Sequence, residues 1–278
     1  WYSKVVWSEG MFLRPQHFQQ QDRYLEAFVR QSRGPLRPYD WGLVELALDR
    51  EALALGKMAV TSAKGLLPDG TPFSIPEHDP PPTPLTIDAG VRDTRVMLAL
   101  PLRRTGMADV ERGDQTDTAA RYRAVAREVR DNNIDTANNS AFVEVGEPRL
   151  RLLLDTRDWS EHTCIGIARV AERRPDQKVV LDEQYIPPSL DCRGVPSLNG
   201  FVAELLGLLH QRGDALAERV VGGGTARAAS LDLAQFMRLQ TVNRFEPLFA
   251  HLAIMQKLHP ETFYQIALQL AGEMATFT

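Results

Sequence analysis

"VPSLNGFVAELLGLL" (195–209) is where this chain changes period. From Pro196 onward the apolar residues recur at helical spacing. Ser197 stands where an N-cap belongs, and Phe201, Leu205, Leu208, Leu209, Leu216 and Val220 mark one face. "VGGGTARAAS" (221–230) reads as a flexible loop. Ser230 is placed to cap a second helix carrying Leu233, Phe236, Met237, Leu239, Val242, Phe245, Leu248, Phe249 and Leu252. Pro247 removes one backbone hydrogen bond there and is expected to kink it. Pro260 starts a third helix on which Phe263, Ile266, Ala267, Leu270, Ala271 and Met274 repeat. Three such helices with short connections predict an antiparallel bundle. A fourth member is expected in chain beyond Thr278, since "EMATFT" carries no helix stop signal. The missing initial Met points the same way, to a chain trimmed at both ends.

Upstream, residues 36–190 alternate with period two. "GLVELALD" (42–49), "EALALGKMAV" (51–60), "RVMLALPL" (95–102), "FVEVGEPRLRLLLD" (142–155), "HTCIGIARV" (162–170) and "KVVLDEQYIPP" (178–188) read as strands. "LLPDGTPFSI" (66–75) reads as two strands around Pro68-Asp69-Gly70. "PEHDPPPTP" (76–84) is a loop, because prolines cannot donate to a ladder. Short strands at this spacing predict a sandwich or barrel. "VERGDQTDT" (110–118) reads as an exposed loop. "AARYRAVAREVRD" (119–131) has helix-forming composition and strand-like alternation, and either assignment stands. The predicted class is α+β, with a β-rich unit over 1–195 and a helical bundle over 196–278. No internal repeat is visible.

A further helix opens the chain. Pro15 suits a first turn, and no glycine or second proline interrupts until Gly34-Pro35. Phe18, Leu25 and Val29 form its stripe, flanked by Tyr24 and Phe28. Before it, Trp1, Tyr2, Trp7 and Phe12 bring large apolar area to a chain end. Two covers fit them equally: the protein's own core, or a partner subunit.

Composition narrows the function. With 278 residues and 44% apolar content the chain can bury a real core. A net charge of -4 and no dense Lys/Arg run argue against a nucleic-acid surface. Cys164 and Cys192 are isolated and suit neither a disulfide framework nor a zinc site. The longest uncharged run, between 261 and 273, is shorter than the ~20 residues of a membrane span.

The search for catalysis returns little. GxSxG, GxGxxG and HExxH are absent, and Gly222-Gly223-Gly224-Thr225 lacks the Gly-Lys-Ser/Thr of a phosphate loop. Of the six histidines, His78 lies in the proline-rich loop, Glu161-His162 is a lone acid–His pair, and His251 and His259 sit on different elements. None has metal-ligand spacing. Glu9, His17 and Asp22 do not converge: His17 shares a helix face with Gln21, not with Asp22. No catalytic, cofactor or metal residue is therefore assigned. A metal-dependent hydrolase using His17 or His162 stays as an alternative, and a carbohydrate- or receptor-binding β-module as another.

"VVWSEGMFLRPQHFQQQDRY" (5–24) resembles the N-terminal signature of the TssK (ImpJ/VasE) family of bacterial type VI secretion baseplate proteins. "LLPDGTPFSIP" (66–76), "LDEQYIPPSLDC" (181–192) and residues 242–278 follow in the family's order; about 103–140 carries little of the likeness. The resemblance implies a β-rich domain like the shoulder of phage receptor-binding proteins, then a helical bundle and a C-terminal head. It implies a cytoplasmic homotrimer that holds the baseplate wedge through TssF and TssG. The head, not present in this chain, would join the inner-membrane complex; no catalysis and no cofactor are implied. On this reading Trp7, Met11, Phe12, Leu13, Arg14, His17 and Phe18 are candidates for the wedge contact or the shell supporting it. Phe236, Leu239, Phe245, Phe249, Phe263, Ile266 and Leu270 are candidates for the trimer or bundle interface.

Overall fold

The computed structural model describes residues 3–104, 106–113, 119–133, 139–156, 158–222 and 229–277. The first helix, α1 (Pro15–Arg33), runs over the predicted span and passes into a 3-10 turn at Gly34–Leu36. Next come β1 (Gly42–Leu48), α2 (Arg50–Ala54), β2 (Lys57–Met58), β3 (Val60–Leu66), β4 (Pro72–Ile75) and β5 (Leu85–Thr86). They are followed by β6 (Arg92–Pro101), β7 (Val110–Glu111), β8 (Tyr122–Arg130), β9 (Ser140–Pro148) and β10 (Arg151–Leu154). Finally come β11 (His162–Arg173), β12 (Val179–Leu181), α3 (Pro196–Gly222), α4 (Ala229–Ile254) and α5 (Pro260–Ala275).

The strands make four sheets, ordered β1-β3-β4, β10-β6-β11-β12, β2-β5 and β7-β8-β9. The first two share one core. Leu43, Ala63 and Phe73 from one sheet join Leu98, Leu152 and Ile165 from the other. The alternation along β1 and β3 follows from this, since each turns one face inward. β6 ends in six consecutive buried residues, as suits a strand paired on both edges.

A second core lies among the helices and comprises Val202, Leu209, Val242, Phe245, Phe249 and Phe263 with their neighbours. α3 and α4 run antiparallel, with His210 against Glu246 at 2.8 Å and Gly213 close to Val242. The segment before α3 ties the two cores: on the β side Leu190 N–H donates to the Leu43 carbonyl at 2.8 Å, and on the helical side it meets Leu258. Leu258 N–H donates to Asp191 Oδ1 at 3.2 Å, and Cys192 N–H to the Leu258 carbonyl at 2.7 Å. Gly194 passes so close to β1 that a Cβ there would lie 2.0 Å from the Val44 carbonyl oxygen. Only glycine fits.

Several expectations change. The stretch 119–131, open between helix and strand, is strand over 122–130: β8 pairs residue by residue with β9 from Tyr122↔Pro148 to Arg130↔Ser140, and this ladder outweighs helix propensity. Part of the loop expected at 110–118 is β7, while 114–118 lie outside the described residues. The start of 51–60 is not strand but α2, because Asp49 caps it by accepting from Glu51 N and Ala52 N. α3 begins at Pro196, so Ser197 lies in the first turn instead of capping it. Pro247 lies inside α4, as expected, and does not end it. The side chain of Ser230, and residues 223–228, are outside the described set.

Candidate partner-binding surface

The N-terminal arm is built by short-range polar contacts. Gly10 adopts φ +77°, and Met11 N–H donates to the Ser8 carbonyl at 3.3 Å, closing a turn. At the start of α1 the Arg14 N–H donates to His17 Nδ1 at 3.0 Å, while His17 N–H donates to the Arg14 carbonyl at 3.0 Å. His17 thus fills the third helical position of a capping box, usually held by Glu or Gln. The acceptor role at Nδ1 leaves the ring proton on Nε2. Trp7 packs on His17 and Phe18, with ring centroids 6.3 Å from each. Gln20 Nε2 donates to the Ser3 carbonyl at 2.9 Å, fastening the arm along the helix.

What the arm and helix do not do is bury their apolar side chains. Ala27 is the one fully buried residue of α1. Phe12 is 82% exposed, and Leu13, Phe18, Leu25, Phe28 and Val29 are also exposed, with Trp7 about half so. The stripe predicted for the helix therefore faces outward. α1 is held through charges and its polar side. Glu26 meets Arg103 at 2.6 Å, Arg33 meets Asp40 at 2.8 Å, and Arg30 and Arg33 lie over Gly70 in the β3–β4 turn. Among the described residues no core covers Phe12 or Phe18. Trp1 and Tyr2 lie outside the described residues.

The residues assigned to the trimer or bundle interface divide. Phe245, Phe249, Phe263 and Leu270 are buried inside this chain's own helical core; Phe249 and Phe263 meet edge to face at 6.1 Å. As placed, these four hold the chain's helices together and present nothing to a second copy. Leu239 and Ile266 are partly buried against them. Phe236 is exposed, as are Leu233, Met237, Leu248, Tyr264 and Leu268. Sequence periodicity cannot separate the two sets, since all lie on apolar stripes.

The polar candidates have structural environments. Burial, with Arg151 nearby, holds His162 below the ordinary imidazole value, and its Nδ1 is buried without a hydrogen-bond partner. Burial also pushes both Cys164 and Cys192 up to about 11, far from the thiolate form. His259 caps α5, accepting from Glu261 N at Nδ1 (3.2 Å), while Nε2 lies 3.2 Å from the Tyr39 carbonyl. Sequence reasoning missed this role; the signal was a polar residue directly before Pro260. Among the described residues no group of three or more His, Cys, Asp or Glu is placed to hold a metal ion. Among them, too, no helix is long and apolar enough to cross a membrane.

Comparison with known proteins places this geometry. The family model described as bacterial type VI secretion, with EvfL, ImpJ and VasE, matches residues 17–278. The type VI secretion system baseplate component TssK1 of Pseudomonas aeruginosa is 48% identical over 278 residues, and the chain spans 62% of that relative's length. A crystal structure of TssK matches with a TM-score of 0.94 at 39% identity, over 100% of this chain and 62% of that one. A chain of the TssK-TssF-TssG baseplate subcomplex, solved by cryo-electron microscopy, matches with a TM-score of 0.85 at 26% identity, over 99% and 88%.

Proposed function

Because this chain belongs to the bacterial type VI secretion family of TssK, ImpJ and VasE, we propose that it is a non-enzymatic structural adaptor of the secretion baseplate. It works as a homotrimer in the cytoplasm, at the inner face of the inner membrane. Residues 1–195 form a shoulder-like β-sandwich domain with its N-terminal helix, and 196–278 a helical-bundle domain. The arm and α1 bind the wedge proteins TssF and TssG. A C-terminal domain outside this chain reaches the inner-membrane complex.

One observation carries this reading: the arm is locked in place by His17, Trp7 and Gln20, yet leaves Phe12, Leu13 and Phe18 in water. A rigid apolar projection loses little entropy on docking. Three copies on one particle would multiply individually weak wedge contacts through effective concentration. The similar chain in the TssK-TssF-TssG subcomplex supports the choice of partner.

The test is co-purification with TssF and TssG of Phe12→Asp and Phe18→Asp. Both side chains are exposed, so folding and oligomeric state should be kept while wedge recovery falls at least about tenfold, as expected for losing about 1.4 kcal/mol or more of apolar contact. Unchanged recovery from a folded trimer would overturn the assignment.

A further inference from the structure

β7 covers only the base of β8, at Tyr122 and Arg123. From Ala124 on, among the described residues, β8 and β9 pair only with each other. A two-stranded ribbon alone is marginal in water. Little covers this one: Phe142 is 78% exposed, and Val129 and Val143 are 45% exposed.

Two bonds fix which main-chain groups point outward. Asp131 N–H donates to the Asn139 carbonyl at 2.9 Å, and Arg149 N–H to the Arg121 carbonyl at 3.0 Å. In an antiparallel pair every second residue exchanges both bonds. Ala141, Val143, Val145 and Glu147 therefore bond to β8. Ser140, Phe142, Glu144 and Gly146 turn their N–H and C=O groups to the open edge. Pro148, next in that series, has no N–H and ends it. No lysine, proline or bulge blunts the edge from Ser140 to Glu147.

The edge is complementary to itself. Its carboxylates already have partners within the chain: Glu144 meets Arg112 at 3.3 Å, and Glu147 meets Arg123 at 3.2 Å and also Arg127. Main chain and apolar side chains are what an added strand would meet. Laid antiparallel on a second copy, the edge has two registers that use its whole length. One sets Glu144 against Glu144 of the second copy, where like charges repel, and Ser140 against a Pro148 that has no N–H. The other sets Val143 against Val143 of the second copy, Phe142 against its Glu144 and Ala141 against its Val145. Val125 already faces Val145, and Val129 faces Ala141, in the β8–β9 ladder. In the second register Val125, Val145, Ala141 and Val129 therefore form one apolar row across four strands.

We propose that β9 pairs antiparallel with β9 of a second copy, about a two-fold axis through Val143, giving a four-stranded sheet β8-β9-β9-β8. The same patch serves both copies, as in any isologous contact. A two-fold contact cannot close a three-fold ring. It therefore joins one trimer to the next, and it depends neither on the wedge reading nor on the face that forms the trimer.

Val143→Cys tests the axis. At a non-hydrogen-bonded pair the two Cα atoms lie about 4.5 Å apart, within disulfide reach. Burial pushes the native Cys164 and Cys192 up to about 11, so both stay thiols. With oxidised glutathione, the whole chain carrying Val143→Cys should form two-copy disulfides at least about tenfold faster than Phe142→Cys or Glu144→Cys, which lie off the axis and too far from their own copies. Adding Glu144→Pro removes an outward N–H but no bond to β8, and should bring the rate down to theirs. In the unaltered chain, hydrogen exchange at the Phe142, Glu144 and Gly146 amides should be as slow as at Val143 and Val145. Equal rates at all three cysteines would overturn the pairing, as would fast exchange at those three amides in the most concentrated sample. Slowing that requires added TssF or TssG would give the edge to another protein and overturns the proposal too. The exchange measurement uses the unaltered protein, so it stands even where a substitution disturbs folding.

Discussion

Arg121 Nη2 donates to Asp69 Oδ2 at 2.7 Å, joining the β3–β4 turn to the start of β8. The arginine is almost fully buried and also donates to the Thr71 hydroxyl and, at 2.6 Å, to the Pro101 carbonyl. One guanidinium thus fastens the turn, the end of β6 and the base of the β8–β9 hairpin. Removing Asp69 strands this charge. Asp69→Ala is expected to lose about 3 kcal/mol of unfolding free energy in urea titrations. Burial pushes the Asp69 carboxyl up, but Arg121 and the Thr71 hydrogen bonds outweigh it and hold the pKa below the ordinary carboxylate value. The ionised form is favoured in the folded state, so the stabilisation is complete above the unfolded pKa of about 3.9. It is lost as pH falls through the lower folded value. The gap between wild type and Asp69→Ala should therefore narrow below about pH 4.

That contact also marks the limit of what the sequence discloses. Pro68-Asp69-Gly70 was legible as a turn because its residues act locally. Its partner Arg121 lies in a stretch whose composition suited helix and strand alike, and only the β9 ladder decides for strand. The helices were legible to within a residue at Pro15 and Pro260, where proline sets the start. Burial was not. Phe18 and Phe249 sit on equally regular apolar stripes, yet one faces water and the other is fully enclosed. Periodicity tells which residues share a face, and tertiary packing decides what that face meets.

His17 should act on the arm through the cap and not through chemistry. His17→Ala removes the acceptor of the Arg14 N–H and is expected to cost about 1 kcal/mol locally. Hydrogen exchange over 3–14 should accelerate. His17→Gln restores a common capping-box residue at the same position and should return exchange close to wild type. Equal exchange in all three proteins would remove the cap from the account of how the arm is held.

His259 couples the segment after α1 to the helices. Its Nδ1 accepts from Glu261 N, and its Nε2 reaches the Tyr39 carbonyl. His259→Asn keeps an N-cap acceptor but cannot span both contacts. His259→Ala should cost about 2 kcal/mol, the sum of a lost cap and a lost hydrogen bond to the Tyr39 carbonyl. His259→Asn should recover about half of that. Thermal unfolding at fixed protein concentration distinguishes the two, and equal midpoints for both variants would mean that the cap contributes nothing.

Phe249 and Phe236, thirteen residues apart on α4, should separate folding from association. Phe249 is fully buried between Phe263 and its neighbours, so Phe249→Ala opens a cavity and should cost about 3–5 kcal/mol. Phe236 is 54% exposed beside Leu233 and Met237. Phe236→Ala should leave the stability of the single chain within about 0.5 kcal/mol. If the outer face of α4 joins the copies, the same change should weaken self-association, because a truncated aromatic at an interface core costs about 1–2 kcal/mol per site. Sedimentation over a concentration series reads this directly. Phe236→Asp should push the equilibrium further toward monomer. Wild-type association by both variants would exclude this face of α4 as a contact between copies.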